Sequence, residues 1–101
     1  MSSRRVVRVT PQFFERLDEL FPAERGPDGE PSATDFLLHE LPSVIDRLAI
    51  DFEGSTIAAS SDSTVRVLIS AGGLVEFFAV YAVLAVDDSI EIVYLEAERS
   101  G

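Results

Sequence analysis

The segment from Phe77 to Glu98, FFAVYAVLAVDDSIEIVYLEAE, is apolar for most of its length and is interrupted by Asp87 and Asp88. The apolar stretch before Asp87 has about half of the roughly 20 residues that a membrane-spanning helix needs. Its valine, phenylalanine and tyrosine content is typical of strands. The segment therefore predicts two antiparallel strands, the first from Val75 to Val86, joined by a two-residue turn at Asp87-Asp88.

A third strand is predicted before this pair. VRVLIS, Val65 to Ser70, has the alternation of a strand, and Gly72-Gly73 is typical of a tight turn. The preceding small and polar stretch, GSTIAASSDST, indicates a loop that holds a short extended piece at Ile57. The C-terminal half is thus expected to be a three-stranded antiparallel meander.

The N-terminal half begins with a strand pattern followed by a helix pattern. VVRVT, Val6 to Thr10, is β-branched and alternating, which predicts a short strand. Thr10-Pro11 then supplies a helix cap and a suitable first helical residue. The apolar residues that follow recur at helical spacing: Phe13, Leu17, Leu20 and Phe21. We expect a strand that leads directly into an amphipathic helix.

A second helix is predicted after a loop rich in proline, glycine and charge. Ser32 and Asp35 have the spacing of a capping box, with aspartate in place of the usual glutamate. Pro42 lies inside the helical pattern and lacks a backbone donor, so we expect a kink or a break there. The apolar face is Leu37, Leu41, Val44, Ile45, Leu48 and Phe52, with Phe36 on its flank.

These elements predict an α+β fold in a single domain of residues 1–101. A strand and two helices precede the meander, and the helices pack on one face of the sheet. If both turns contain two residues, strand alternation assigns every side chain of the meander to a face. The face expected against the helices comprises Val65, Val67, Ile69, Phe78, Val80, Ala82, Leu84, Val93 and Leu95.

The other face is expected to meet solvent or a partner. It comprises Arg66, Leu68, Phe77, Ala79, Tyr81, Val83, Ile90, Ile92, Tyr94, Glu96 and Glu98. Both faces of the central strand are apolar, and two helices cover only one of them. The second face therefore predicts a covering partner chain, a terminal segment or strong sheet curvature.

Three groups on this second face have two interpretations each. Arg66 and Glu96 share one cross-strand row, so an ion pair is favoured over a phosphate or partner contact for Arg66. Tyr81 stands opposite Tyr94, which fits a cross-strand pair worth roughly 0.2–1 kcal/mol or a platform for a substrate or partner. Glu96 and Glu98 fit a solvated strand end better than a pair of acid-base carboxylates.

Charge makes direct nucleic-acid binding unexpected. The formal net charge is -10, and all eight basic residues are arginines. Proteins that bind nucleic acids have a basic footprint, because phosphate contacts supply much of their affinity. Arg4, Arg5 and Arg8 crowd the N-terminus, where a frayed and solvated segment is expected.

Composition also excludes several kinds of site and location. The chain has no cysteine and a single histidine, His39, so no disulfide, no cysteine or histidine metal centre and no cofactor is expected. MSSRRVVRVT lacks the apolar region of a signal peptide. We therefore expect a cytoplasmic protein that does not enter a membrane.

The order of the predicted elements and one local motif resemble the RelE/ParE superfamily of bacterial toxins. FFAVYAV, Phe77 to Val83, is similar to the family's Tyr-Arg-Val-Ile-Tyr-x-Val pattern on its central strand. An acidic turn and an apolar final strand, SIEIVYLEAER, follow it as in the family. Arg66 falls on the strand that carries a characteristic arginine in the family, and Arg99 falls near the arginine after the last strand. The resemblance covers most of the chain and implies a RelE-like fold.

The resemblance implies the toxin of a type II toxin-antitoxin pair, or a degenerate relative of one. Ribosome-dependent members cleave mRNA with basic residues on the sheet face, ParE-like members inhibit DNA gyrase, and an antitoxin that wraps the toxin holds it silent. Here Phe78 and Ala82 stand where basic residues are common in the family. Cleavage needs positive charge around the phosphate, so an endoribonuclease ranks last among the hypotheses.

We therefore predict a protein that acts through protein contacts of the second face. Whether it is also an enzyme is left open by the sequence, and any such activity would be that of an endoribonuclease. The predicted partner-binding or substrate residues are Arg66, Phe77, Tyr81, Ile92, Tyr94, Glu96, Glu98 and Arg99, and no catalytic or metal-binding residue is assigned. The expected partner is an antitoxin protein or a second copy of the chain, with the ribosome or gyrase added for an active toxin. The alternative is a non-toxin module that homodimerises through the same face.

Overall fold

The computed structural model describes residues 4–21, 32–59, 64–71 and 77–98. Within those ranges the chain forms four helices and one five-stranded sheet, so the predicted α+β class is confirmed. The helices are α1 (Pro11–Leu20), α2 (Ala33–His39), α3 (Leu41–Ile50) and α4 (Phe52–Ser55). The strands are β1 (Val7–Val9), β2 (Ile57–Ala58), β3 (Val65–Ser70), β4 (Phe77–Leu84) and β5 (Ile90–Glu98). The turn predicted at Gly72-Gly73 lies outside the described residues.

The strands are arranged in the order β1-β5-β4-β3-β2. The last three strands of the chain form the predicted antiparallel meander. β2 pairs antiparallel with β3, and it contains the short extended piece predicted at Ile57. β1 lies parallel to β5 at the opposite edge. Parallel pairing needs a long crossover, which the intervening helices provide.

The helix boundaries follow local signals in the sequence. Pro11 is the first residue of α1. The predicted capping box starts α2: Ser32 Oγ accepts the Asp35 N–H at 3.1 Å, and the Asp35 carboxylate accepts the Ser32 N–H at 3.0 Å. The predicted break occurs at Glu40, and Pro42 then lies in the first turn of α3, where its missing donor costs little. Thr10 does not cap α1 with its side chain.

The hydrophobic core lies between the helices and one face of the sheet, and Phe36 is its central ring. The sequence pattern placed Phe36 on the flank of its helix, but it is fully buried. Its ring stacks on Phe21 at 5.5 Å and meets Phe78 edge-on at 5.2 Å, measured between ring centroids. The other core residues are Phe13, Leu17, Leu41, Val44, Leu48, Phe52, Leu68, Val80, Ala82, Ile90, Ile92 and Leu95.

The register between β3 and β4 differs from the predicted one. Arg66 lies opposite Ala82 rather than Ala79, a shift of three residues. Because the shift is an odd number, the two faces of β3 are exchanged. Leu68 is therefore fully buried against the helices. Three residues of β3 were predicted to face the helices but lie on the other face: Val65, Val67 and Ile69.

The loop between β4 and β5 also differs from the predicted two-residue turn. The Ala85 N–H donates to the Ser89 carbonyl at 2.8 Å, and the Asp88 N–H donates to the Ala85 carbonyl at 3.0 Å. The loop therefore contains three residues, Val86 to Asp88. Asp88 has a φ of 67°, a left-handed conformation that aspartate tolerates better than most residues do.

A β-bulge in β5 compensates for this longer loop. Tyr81 lies opposite Tyr94, as predicted, but Ala82 lies opposite Ile92, so Val93 is an extra residue without a partner in the register. The pairing is therefore as predicted from Tyr94 onward and is shifted by one residue between the loop and the bulge.

The bulge reverses the predicted facing of the first part of β5. Ile90 and Ile92 were predicted on the face away from the helices, but both are fully buried in the core. Val93, predicted in the core, is half-buried. Leu95 lies beyond the bulge and is fully buried, as predicted.

Replacing Phe36 by alanine should strongly destabilise the fold. Loss of a fully buried aromatic ring that contacts two other rings should lower the free energy of unfolding by about 3–5 kcal/mol. Urea denaturation followed by circular dichroism measures this change. Leu38→Ala, two residues further along α2 at an exposed position, is the matched control and should stay within about 0.5 kcal/mol of wild type. Equal effects of the two substitutions would contradict the packing described.

Candidate functional site

The sheet face away from the core is called the open face, because no helix of the described residues packs on it. Its side chains are those of Arg8, Ile57, Val65, Val67, Ile69, Phe77, Ala79, Tyr81, Val83, Glu91, Tyr94 and Glu96. Four large apolar residues on it are exposed to solvent: Ile57 by 58%, Ile69 by 44%, Phe77 by 44% and Tyr94 by 39%. The open face is therefore a mainly apolar surface with Glu96 on β5 and the ion pair of Arg8 and Glu91 at its β1 edge.

The centre of the open face is a row of side chains that crosses four strands. Ile57, Val67, Tyr81 and Tyr94 are consecutive cross-strand neighbours in this row. The two tyrosine rings meet edge-on, with centroids 5.7 Å apart and planes at 74°. The predicted cross-strand tyrosine pair is therefore confirmed, and it stabilises the sheet locally. The same rings present polar hydroxyls and apolar edges to any molecule on this face.

Arg16 of α1 closes the β5 side of the open face, and it was not among the predicted site residues. Its Nε donates to the Leu95 carbonyl at 2.9 Å. Its guanidinium carbon lies 4.9 Å from the centroid of the Tyr94 ring, and its Nη2 lies 3.4 Å from a carboxylate oxygen of Glu96. This one side chain thus covers an edge carbonyl of β5, stacks on an aromatic ring and neutralises a carboxylate. Because almost 80 residues separate it from these partners in the sequence, no local pattern indicates the contact.

Arg66 lies on the helix side of the sheet, so its predicted place beside Glu96 was wrong. Its Nε donates to the Thr56 hydroxyl at 2.6 Å, and its Nη2 donates to the Thr56 carbonyl at 3.0 Å and the Glu53 carbonyl at 3.4 Å. These oxygens belong to the carbonyl end of α4 and the residue after it, where unpaired acceptors need donors. Arg66 therefore has a structural role in joining β3 to α4.

Four of the eight predicted site residues lie together on the open face: Phe77, Tyr81, Tyr94 and Glu96. Ile92, like Arg66, lies on the opposite side and is fully buried, so it cannot contact a partner. The backbone of Glu98 pairs with Phe77 at the end of β5. The Glu98 side chain and the whole of Arg99 lie outside the described residues.

A concave feature lies at the β1 edge of the sheet. This cleft of about 580 Å³ is lined by the segment Arg4–Val6 and Arg8, by the end of α3 and the start of α4, and by Asp87–Ser89. The sequence suggested a frayed segment around Arg4, Arg5 and Arg8, but these three arginines are held in place. They pair with carboxylates: Arg4 with Asp46 at 2.7 Å, Arg5 with Glu53 at 2.9 Å and Arg8 with Asp87 at 2.7 Å. The cleft therefore offers balanced charges rather than a basic surface.

The same contacts shift the pKa values of charged side chains that line this cleft. Hydrogen bonds from the Ser89 side chain, Arg8 and the Ser89 N–H hold the pKa of Asp87 well below its usual range. A hydrogen bond from Arg5 likewise lowers the pKa of Glu53, and Asp87 raises the pKa of Arg8. All of these groups stay charged near neutral pH, so the ion pairs persist across the physiological range.

The described residues contain no group of three or more histidine, aspartate and glutamate side chains arranged to hold a metal ion. None of the four helices is long and apolar enough to cross a membrane. Comparison with protein-family models, with curated proteins and with solved structures gives no match. The open face is thus the candidate functional site on its own geometry.

The contact between Arg16 and Glu96 should appear as thermodynamic coupling. In a double-mutant cycle of Arg16→Ala and Glu96→Ala, we expect a coupling free energy of about 0.2–1 kcal/mol, because the pair is solvent-accessible. The matched cycle of Arg66→Ala and Glu96→Ala should be additive, although Arg66→Ala alone should cost about 1–3 kcal/mol through its lost carbonyl contacts. Urea denaturation measures both cycles. Coupling in the second cycle and none in the first would instead support the predicted pairing of Arg66 with Glu96.

Acid should destabilise the protein partly through Asp87. A carboxyl whose pKa is lower in the folded than in the unfolded state contributes stability above its unfolded pKa of about 4, and that stability is lost as the pH falls further. Between about pH 5 and pH 2, the free energy of unfolding should therefore fall less steeply for Asp87→Asn than for wild type. Ser89→Ala keeps the carboxylate but removes one donor, so its slope should be intermediate. Equal slopes for wild type and Asp87→Asn would exclude this contribution.

Proposed function

We propose that this chain is a RelE/ParE-like toxin, or a degenerate relative of one, that acts through protein contacts of the open face. The observation that carries the proposal is the exposed apolar surface on a sheet whose other face packs against the core. Exposed apolar area of this kind, bordered by charged groups, is typical of protein interaction sites. A cytoplasmic location and an antitoxin protein as the bound partner belong to the same proposal.

The arrangement of the chain supports this proposal. The strand, helices and meander follow one another in the order expected from the family resemblance. The motif segment FFAVYAV lies on β4, in the middle of the meander, and its first and fifth residues, Phe77 and Tyr81, lie on the open face. These are positions from which side chains can contact a partner directly.

Protein contact is favoured over RNA cleavage by the distribution of arginines. Arg66 is directed to the end of α4, and Arg16 is shared between Glu19 and Glu96 at 3.4 Å each. A site that cleaves RNA must stabilise added negative charge in the transition state. The guanidiniums near the open face are already matched by carboxylates. An endoribonuclease thus remains the last of the hypotheses.

When it is expressed alone in a bacterial host, the protein should arrest growth. Co-expression of the product of the neighbouring reading frame should reverse the arrest. Phe77→Ala should weaken the arrest, because Phe77 lies on the open face. Phe14→Ala is the matched control, since Phe14 is exposed to a similar extent on α1, and it should leave the arrest unchanged. Growth curves and incorporation of labelled amino acids measure these effects.

Other outcomes separate the remaining hypotheses. Normal growth together with a stable complex between the two gene products, weakened by Phe77→Ala, would indicate a degenerate relative. A dimer in light scattering that Phe77→Ala converts to a monomer, with no effect on growth, would instead favour the homodimeric module. Normal growth, no complex and a monomer would refute the proposal.

A further inference from the structure

The charges around the open face restrict the chemistry of its partner. Arg16 interacts with Glu19 and Glu96, and Arg8 at the neighbouring edge interacts with Asp87 at 2.7 Å and Glu91 at 3.7 Å. Each of these two arginines thus contacts two carboxylates, which exceeds what its single positive charge can neutralise. The whole chain carries a net charge of -10. The electrostatic potential that a partner meets on approach is therefore negative.

The shape of the apolar surface restricts the partner further. Its central row runs across four strands from Ile57 to Tyr94. Neighbouring strands are about 4.8 Å apart, so the row is roughly 14 Å wide. An α-helix with its side chains is about 10–12 Å in diameter. One amphipathic helix that lies along the strands fits this width. Its apolar stripe can cover Tyr81 and Tyr94 of the row and Ile69 beside it, and its flanking residues then lie beside Glu96.

We infer that the open face binds a basic amphipathic helix of a partner protein. The apolar stripe of this helix covers Tyr81, Tyr94 and Ile69, and its lysine or arginine side chains lie against Glu96 and the other carboxylates near β5. This inference rests on the proposed function and names the chemistry of the partner. A second copy of the chain would bring another charge of -10 to an already acidic surface, and like charges suppress such an association. A basic helix instead gains from apolar burial and from charge complementarity.

Two synthetic helical peptides of about 20 residues test this inference with the full-length protein. Both carry leucines at helical spacing, and one carries lysines where its twin carries glutamates. In fluorescence anisotropy, the lysine peptide should bind more tightly than its twin, and rising salt should weaken its binding because salt screens exposed charges.

Matched variants locate the binding. Glu96→Lys should weaken the lysine peptide about threefold to tenfold, whereas Glu15→Lys, at an exposed position on α1, changes the net charge equally and should have a much smaller effect. Ile69→Ser should weaken both peptides about fivefold to tenfold, whereas Ile50→Ser, exposed at the end of α3, should not. Circular dichroism confirms that each variant is folded.

The outcomes distinguish this inference from the proposed function beneath it. If Ile69→Ser weakens both peptides equally and Glu96→Lys affects neither, the open face binds proteins but the basic-partner inference is wrong. Tighter binding of the glutamate peptide would also overturn it. If none of the open-face variants differs from its control, the open face is not a binding surface, and the proposed function fails with the inference.

Discussion

The extra residue in β5, Val93, decides which side chains each face of the sheet carries. Alternation alone would place Ile90 and Ile92 on the opposite face from Leu95, because their positions differ from that of Leu95 by an odd number, five and three. The bulge at Val93 removes that conflict, so all three side chains are fully buried under the helices. The core gains three large aliphatic side chains from one strand. The same bulge leaves the residues beyond it, Tyr94 and Glu96, in place on the open face.

Two arginines connect the layers of this fold, and each donates to backbone carbonyl oxygens of another element. Arg66 on β3 reaches the end of α4, and Arg16 on α1 reaches the edge of β5 at Leu95. A carbonyl at a helix end or a strand edge needs a donor, and a guanidinium can serve several acceptors at once. The arginine expected on the open face is therefore on the helix side, and an arginine from a helix borders the open face instead. The basic group beside Glu96 therefore comes from a helix rather than from a strand.

The sequence was a good guide wherever the deciding contacts are local. The capping box at Ser32, the break before Pro42 and the start of α1 at Pro11 all depend on residues within one turn, and all were predicted correctly. Register was predicted correctly only between β4 and the part of β5 from Tyr94 onward, since elsewhere it depends on loop length and on tertiary contacts. The reason for keeping Arg66 off the core side was the cost of burying an unpaired guanidinium. That reasoning lacked the acceptors at Thr56 and Glu53, which only the folded chain brings within reach.

The open face is both apolar and acidic, and these two properties together favour a protein partner over a phosphate-bearing one. A phosphate group gains little from contact with Phe77 or Ile69, and it would approach the carboxylate of Glu96 at a cost. Displacing Arg16 from Glu96 to meet a phosphate would also leave the Leu95 carbonyl without its side-chain donor. A protein surface can cover the apolar side chains and supply further donors to the Glu96 carboxylate, whose two oxygens each lie 3.4 Å from Arg16 Nη2, without breaking either contact. Burial then adds to the existing ion pairs rather than competing with them, and the apolar and acidic character of this face become parts of one recognition surface.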